Sequence, residues 1–570
     1  MVPAPKSKGG MAGTGGTTRP DADAARPASR ALRAWRPSQA AVSAVVLAAA
    51  GVLLFPAYLS ESRTLPVNSD GAANALQAWD MLHGNLLLHG WILTDVSFYT
   101  TELPQYMLVE LARGLGADVV HVAAAMTYTL VVLLAALLAR GRATGREAAA
   151  RMLLAGGIML SPALGIDAST LLLSPDHIGT MVPLLVMWLI LDRAGRRWHV
   201  PVLAGLILAL ATVADMVTLL EGTVPVIVVC LLRLLRDRRS GQARWFELAL
   251  AGSAAASAVA AQLAVSLIRS SGGFILQPLP PALIQYSTLE QHAVNTGKGL
   301  LALFGGDFFN TPSRPNASFF GDHPGPDMAI GAVHLAGLAL AAWALCIALR
   351  RCYREREFVV TGLAVAVIVV TAAYLFSLRS ASFLGLREMA GVLPMTAVLA
   401  GRLLPGRLAA AMQTGQPAIR RLAASGLLIV MLLAGAFSAA NLAYNATRPS
   451  VPAQYHPITG WLAAHHLSYG LGGYWQAGSI TLDSAGRIKV RAVFLQGSQA
   501  AAGQWETRES WYEPRLHNAD FAVVSPGASG LRLAALTAAF GPPAHSYRVA
   551  GSTVLTWHKN LLTELTRPHP

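Results

Sequence analysis

The sequence predicts an all-α polytopic membrane protein of about 11 transmembrane helices, followed by a small α/β exoplasmic domain. Three observations predict it. Of 570 residues, 54% are hydrophobic and 13% charged, with a mean hydropathy of +0.47. Soluble domains carry roughly 25% charged residues, so an ordinary cytosolic enzyme and a disordered chain are both excluded. The apolar residues fall in runs of membrane-spanning length, and the basic residues fall on alternate sides of those runs.

A helix needs about 20 mainly apolar residues to cross roughly 30 Å of hydrocarbon. Eleven segments qualify or nearly qualify: 39–59, 118–139, 152–166, 177–192, 199–216, 220–235, 246–268, 328–349, 357–377, 385–404 and 422–445. The third and fourth are short, and 199–235 also reads as one broken hairpin, so the count is good to about one.

Lys and Arg mark cytoplasmic loops. With the N-terminus inside, inner segments hold 27 of the 44 Lys and Arg, outer loops 7 and the C-terminal tail 10. Acids run the other way, with 8 inside and 22 outside. The net charge of +14 is therefore a consequence of topology. A nucleic-acid partner needs a basic patch, and none is expected. An odd number of spans places residues 446–570 outside. Cys230, Cys346 and Cys352 lie in or beside apolar runs and offer no disulfide framework or CxxC metal site.

Residues 1–38, rich in Gly, Ala, Pro, Thr and Arg, read as a disordered cytoplasmic tail. Segment 39–59 has no clear small-residue cleavage site and reads as an anchor. The transmembrane domain then runs over 39–445, with outer loops 60–117 and 269–327. Residues 446–570 are more polar, with β-like runs at 488–494 and 521–524, and read as the exoplasmic C-terminal domain.

The first outer loop is organised. Asn68, Ser69 or Asp70 would cap a helix that Gly84 closes, with an apolar face at Ala72, Ala75, Leu76, Trp79 and Leu82. A second amphipathic helix follows Glu102 and contains Pro104. Asp70 is either a cap or a functional carboxylate at the membrane boundary, and the two roles are compatible. Other acids gather on this face: Glu102, Asp167, Asp176 next to His177, Asp215 and Glu221. Such acids are costly at a membrane boundary unless they face a polar cavity or a partner. Each taken alone also reads as a solvated charge or a cap. Arg379 and Arg387 break the positive-inside pattern. A guanidinium at a helix start makes a phosphate site. The bland alternative for Arg387 is a pair with Glu388 or snorkelling to headgroups. Loop 269–327 carries Tyr286, Phe308, Phe309, Phe319 and Phe320, which would either stack on sugar or pack structurally.

These features resemble the GT-C class of glycosyltransferases: protein O-mannosyltransferases, aminoarabinose transferases and RgtA/B/C/D-like bacterial enzymes. The residues that carry the resemblance are an N-terminal span followed at once by "NSDGAANALQAWDMLHGN", then "TTELPQYMLVELARGLG", and late in the chain "GLREMAGVLPMTAVLAGRLL". The Ala-, Gly- and Arg-heavy composition is similar to that of actinobacterial membrane proteins.

The resemblance implies a polyprenyl-phosphate-linked sugar donor, a cell-envelope glycan, lipid or protein acceptor, and transfer at the outer face of the cytoplasmic membrane. It implies Asp70 as catalytic base in an inverting single displacement. Arg387 and Arg379 would hold the leaving phosphate, and Glu102, Asp167, Asp176 and His177 would bind donor or acceptor. Members often have a second acid beside the catalytic Asp, where this chain has Gly71; Glu102, Asp167 or Asp176 would supply that charge. No clean ligand motif is present, and a divalent cation stays open. Two other classes remain in competition: a transporter or flippase of lipid-linked glycan, and a non-catalytic scaffold that keeps the fold.

Overall fold

The computed structural model describes residues 39–162, 166–236, 241–277, 283–306, 324–352, 357–496, 499–526 and 531–566. The expected tail 1–38 lies outside them, as do Phe308, Phe309, Phe319 and Phe320. The described residues from Leu47 onward form one compact unit, and residues 39–46 are helical.

Every one of the eleven apolar segments overlaps a helix. Among the described residues, seven helices are long and apolar enough to cross a membrane: Val42–Ser62, Asp118–Arg140, Arg244–Ser270, Val333–Cys352, Phe358–Leu375, Gly385–Ala411 and Ala418–Asn445. His199–Ala214 is a shorter apolar helix. The chain is a multi-pass membrane protein.

Burial divides these helices by position. Asp118–Arg140 is buried over most of its length, while Val42–Ser62 and Ala418–Asn445 are mostly exposed. The exposed side chains are Val45, Val52, Leu53, Leu432 and Leu433, the chemistry of a lipid-facing stripe. A hydroxyl buried among apolar chains is costly without a partner. Tyr128 and Tyr58 accordingly donate to Met159 O and Leu160 O, each at 2.8 Å. The far end of Asp118–Arg140 is closed by buried Arg402, which donates to Leu138 O at 2.9 Å. It also pairs with Glu357 at 2.6 Å and Asp192 at 2.8 Å.

The described residues contain nine strands, in chain order β1 Trp91–Leu93, β2 Ile275–Leu276, β3 Tyr469–Gly472, β4 Lys489–Gln496, β5 Gln499–Ala502, β6 Thr507–Arg508, β7 Phe521–Val524, β8 His545–Val549 and β9 Ser552–Thr556. Six form a C-terminal sheet in the order β5-β4-β3-β7-β9-β8. Its centre is parallel, with β3 pairing both β4 and β7, and its edges are antiparallel. The β-like runs expected at 488–494 and 521–524 are β4 and β7.

The other three strands form a separate sheet, β2-β1-β6. It joins three distant parts of the chain: Ile92 lies between Ile275 and Thr507. This clasp fixes the C-terminal residues against the two long loops.

Candidate functional site

The helix Ser69–Leu82 begins where Asn68, in extended conformation, accepts a hydrogen bond from Gly71 N at 3.0 Å. Asn68 is therefore the cap, and the Asp70 carboxylate in the first turn is spent elsewhere. Gly71 is a close approach: a Cβ there would lie 2.7 Å from Val120 Cγ1 and 3.2 Å from Ser174 Cβ. The position has no room for a second acid. Of the three acids expected in its place, Asp176 is the one that shares Arg387 with Asp70.

Asp176 and His177 lie on a γ-turn, with Ile178 N donating to Asp176 O at 2.8 Å and His177 at φ 62°, ψ −43°. This turn is rare and strained for a non-glycine residue. It is held on both sides. Asn74 Nδ2 donates to Asp176 Oδ1 at 2.8 Å and Ser174 Oγ to Oδ2 at 2.7 Å. His177 Nδ1 meets Asp215 Oδ2 at 2.7 Å. Burial works against the imidazolium, but the charge and hydrogen bond of Asp215 outweigh it and raise the His177 pKa to about 9. Burial likewise raises Asp176, with Arg387 acting the other way.

Arg387 stands between the two acids. Its Nη2 is 2.9 Å from Asp70 Oδ2 and its Nη1 is 3.2 Å from Asp176 Oδ2. The sequence places Arg387 at the start of a spanning helix. In the structure it lies in a 3-10 segment, Phe383–Met389, and regular helix begins at Val392. Pro394 fits that onset, since the first turn of a helix needs no N–H from it. Arg379 pairs with Asp95, and its Nε lies 3.0 Å from Glu388 Oε1.

Asp70, Asp95, Asp176, His177, Arg379, Arg387 and Glu388 line one cavity of about 880 Å³. C-terminal residues complete its wall: Tyr474, Trp475, Phe494, Gln504, Trp505 and Glu506. Tyr474 Oη is 2.6 Å from Asp70 Oδ1 and 2.5 Å from Glu506 Oε2. Ser69 Oγ reaches the carbonyls of Tyr474 and Trp475 at 2.7 and 2.9 Å, locking the Asp70 helix to that wall.

Two expected site residues lie away from the cavity wall. Glu102 is fully buried and bonded by Thr101 and by Thr180 Oγ1 at 3.2 Å. Its carboxyl packs on Gly179, where a Cβ would meet Glu102 Oε1 at 2.7 Å, so it supports the turn from behind. Burial lifts its pKa to about 8. Asp167 is buried in the short helix Ile166–Leu171. Tyr286 is exposed and does not line the cavity. Asp95, Tyr474 and Glu506 are not marked by the sequence reading, and Glu388, expected there only as a partner of Arg387, pairs with Arg379. The one available signal was an acid beside aromatics in "GQWETRESWYEP".

Among the described residues, no group of three or more His, Cys, Asp or Glu is placed to hold a metal ion. Between Asp70 and Asp176, where a cation would sit, the guanidinium of Arg387 already lies.

No protein-family profile matches the chain, and no curated protein matches it. Solved structures do. The chain is similar to the Archaeoglobus fulgidus oligosaccharyltransferase tethered with an acceptor peptide, at 14% identity and a TM-score of 0.45. That match covers 85% of this chain and 69% of that one. It is also similar to ArnT from Cupriavidus metallidurans bound to undecaprenyl phosphate, at 14% identity and a TM-score of 0.48, covering 90% and 97%. Both neighbours are membrane glycosyltransferases of the GT-C type.

Proposed function

We propose that this protein is a membrane glycosyltransferase. It moves a sugar from a polyprenyl-phosphate donor to an acceptor hydroxyl or amine at the outer face of the cytoplasmic membrane. One observation carries the reading: Arg387 is shared by two carboxylates on the wall of a large cavity. A half-buried guanidinium between two acids, on the wall of a cavity, is a functional-site candidate whose natural guest is a further anion. The phosphate of a lipid-linked sugar is such an anion, and it would enter from the membrane side.

The proposed steps use this geometry as follows. Donor phosphate competes with Asp70 and Asp176 for Arg387 through charge-assisted, forked hydrogen bonds. When Arg387 turns to the phosphate, Asp70 Oδ2 is released. Asp70 then takes the proton of the acceptor as its oxygen or nitrogen attacks the anomeric carbon. The bond from that carbon to the phosphate oxygen breaks on the opposite side, so the configuration inverts. The leaving polyprenyl phosphate keeps the electron pair, and Arg387 stabilises the charge as it grows. Arg379, paired with Asp95 and Glu388, and His177, paired with Asp215, line the same cavity. Trp475 and Trp505 offer faces on which a sugar ring stacks.

The test is a comparison of lipid-linked sugars by mass spectrometry in a deletion strain, its wild-type complement and an Asp70→Asn complement at matched protein level. The expected result is one polyprenyl-phosphate sugar that builds up in the deletion and the Asp70→Asn strain only. An unchanged lipid-linked pool in all three would contradict a donor of this class.

A further inference from the structure

The Tyr474 hydroxyl sits between two carboxyl groups, 2.6 Å from Asp70 Oδ1 and 2.5 Å from Glu506 Oε2. Both distances are those of strong O–H···O bonds. A phenol has one proton, so it donates to one carboxyl only. The second bond needs a proton carried by a carboxyl. Asp70 is the one that faces Arg387, whose Nη2 donates to its Oδ2 at 2.9 Å, so both of its oxygens already serve as acceptors. The remaining proton therefore belongs to Glu506.

We propose that Glu506, in its acid form, is a positioning residue for the base: it donates to Tyr474, and Tyr474 donates to Asp70 Oδ1. The chain points one way. It fixes the rotation of the Asp70 carboxyl and leaves Oδ2 for Arg387 and then for the acceptor. This inference rests on the reading of Asp70 as base.

The backbone supports it. Glu506 has φ 51°, a left-handed conformation that non-glycine residues rarely adopt. It immediately precedes β6, whose pairing with β1 holds it in that strained position. The charged groups facing Glu506 are Asp70, Asp176 and Arg387, from three different elements, besides the Tyr474 hydroxyl. Burial and the charge of Asp70 hold its carboxyl well above the usual carboxylate range, against the Tyr474 bond and Arg387. Glutamine in place of Glu506 keeps a donor toward Tyr474; alanine removes it.

The first test uses infrared spectroscopy of the purified full-length protein at neutral pH and needs no substrate. The difference between wild type and Glu506→Gln should contain the carbonyl band of a protonated carboxylic acid, and Tyr474→Phe should shift that band. Ionised-carboxylate bands in the difference would overturn the inference. The second test is the lipid-linked sugar assay. Glu506→Ala and Tyr474→Phe should each slow transfer by about 10- to 100-fold, and the double variant should be no slower than the worse single one. Glu506→Gln should restore most of the activity. If Glu506→Ala transfers as wild type while Asp70→Asn is silent, this inference fails and the transferase reading stands. If Asp70→Asn is active, the base assignment fails and this inference falls with it. Should Glu506→Ala not accumulate, the infrared result with Glu506→Gln decides.

Discussion

At the scale of single residues, the site depends on which acid is spent where. Because Asn68 caps the helix, Asp70 is left for Arg387. Asn68→Ala should cost about 1 kcal/mol of stability, the usual worth of such a cap, and thermal unfolding of the purified protein measures it. Arg387→Lys keeps the charge but loses the fork that spans Asp70 and Asp176. It should lower transfer by roughly 100-fold, the order seen when one transition-state donor is lost. Gly71→Asp would drive a side chain into Val120 and Ser174. The expected outcome is a drop in melting temperature and in membrane yield, with no gain from the second acid.

At the scale of elements, two short pieces carry the geometry. The γ-turn at His177 is held by the Asp215 pair. The His177 pKa is raised in the fold from 6.5 to about 9. The pair's contribution is thus fully present below about 6.5 and is lost as pH climbs through about 9. The wild-type melting temperature should fall across that window, and His177→Gln should flatten the fall. An equal slope in the variant would remove His177 as its cause. The other piece is the clasp β2-β1-β6. Proline at Ile92 would break its central strand. The expected outcome is loss of transfer together with easier proteolysis of the C-terminal residues, read on a gel.

At the scale of the molecule, legibility in the sequence follows the range of the interactions. The spanning helices were readable because each is a long local run of apolar residues. Asp70, Asp176, His177, Arg379 and Arg387 were readable as charges out of place, and all five line the cavity. Tyr474 and Glu506 were not, because their only local mark is an acid beside aromatics around Glu506. Tyr474 meets Asp70 across 404 residues. The strands that bring Glu506 there are two or three residues long, too short to show a period. Glu102 was misplaced for the opposite reason: its charge is visible in sequence, but its full burial behind the turn is a property of packing.

The central claim is that donor phosphate takes Arg387 away from Asp70 and Asp176. Binding of undecaprenyl phosphate to purified wild type, Asp70→Asn and Arg387→Ala tests it most directly, by native mass spectrometry in detergent. Asp70→Asn removes a competing anion, so it should bind the probe more tightly, by about tenfold or ~1.4 kcal/mol, while being silent in transfer. Arg387→Ala should lose the probe. Unchanged binding in Arg387→Ala, or weaker binding in Asp70→Asn, would contradict the claim.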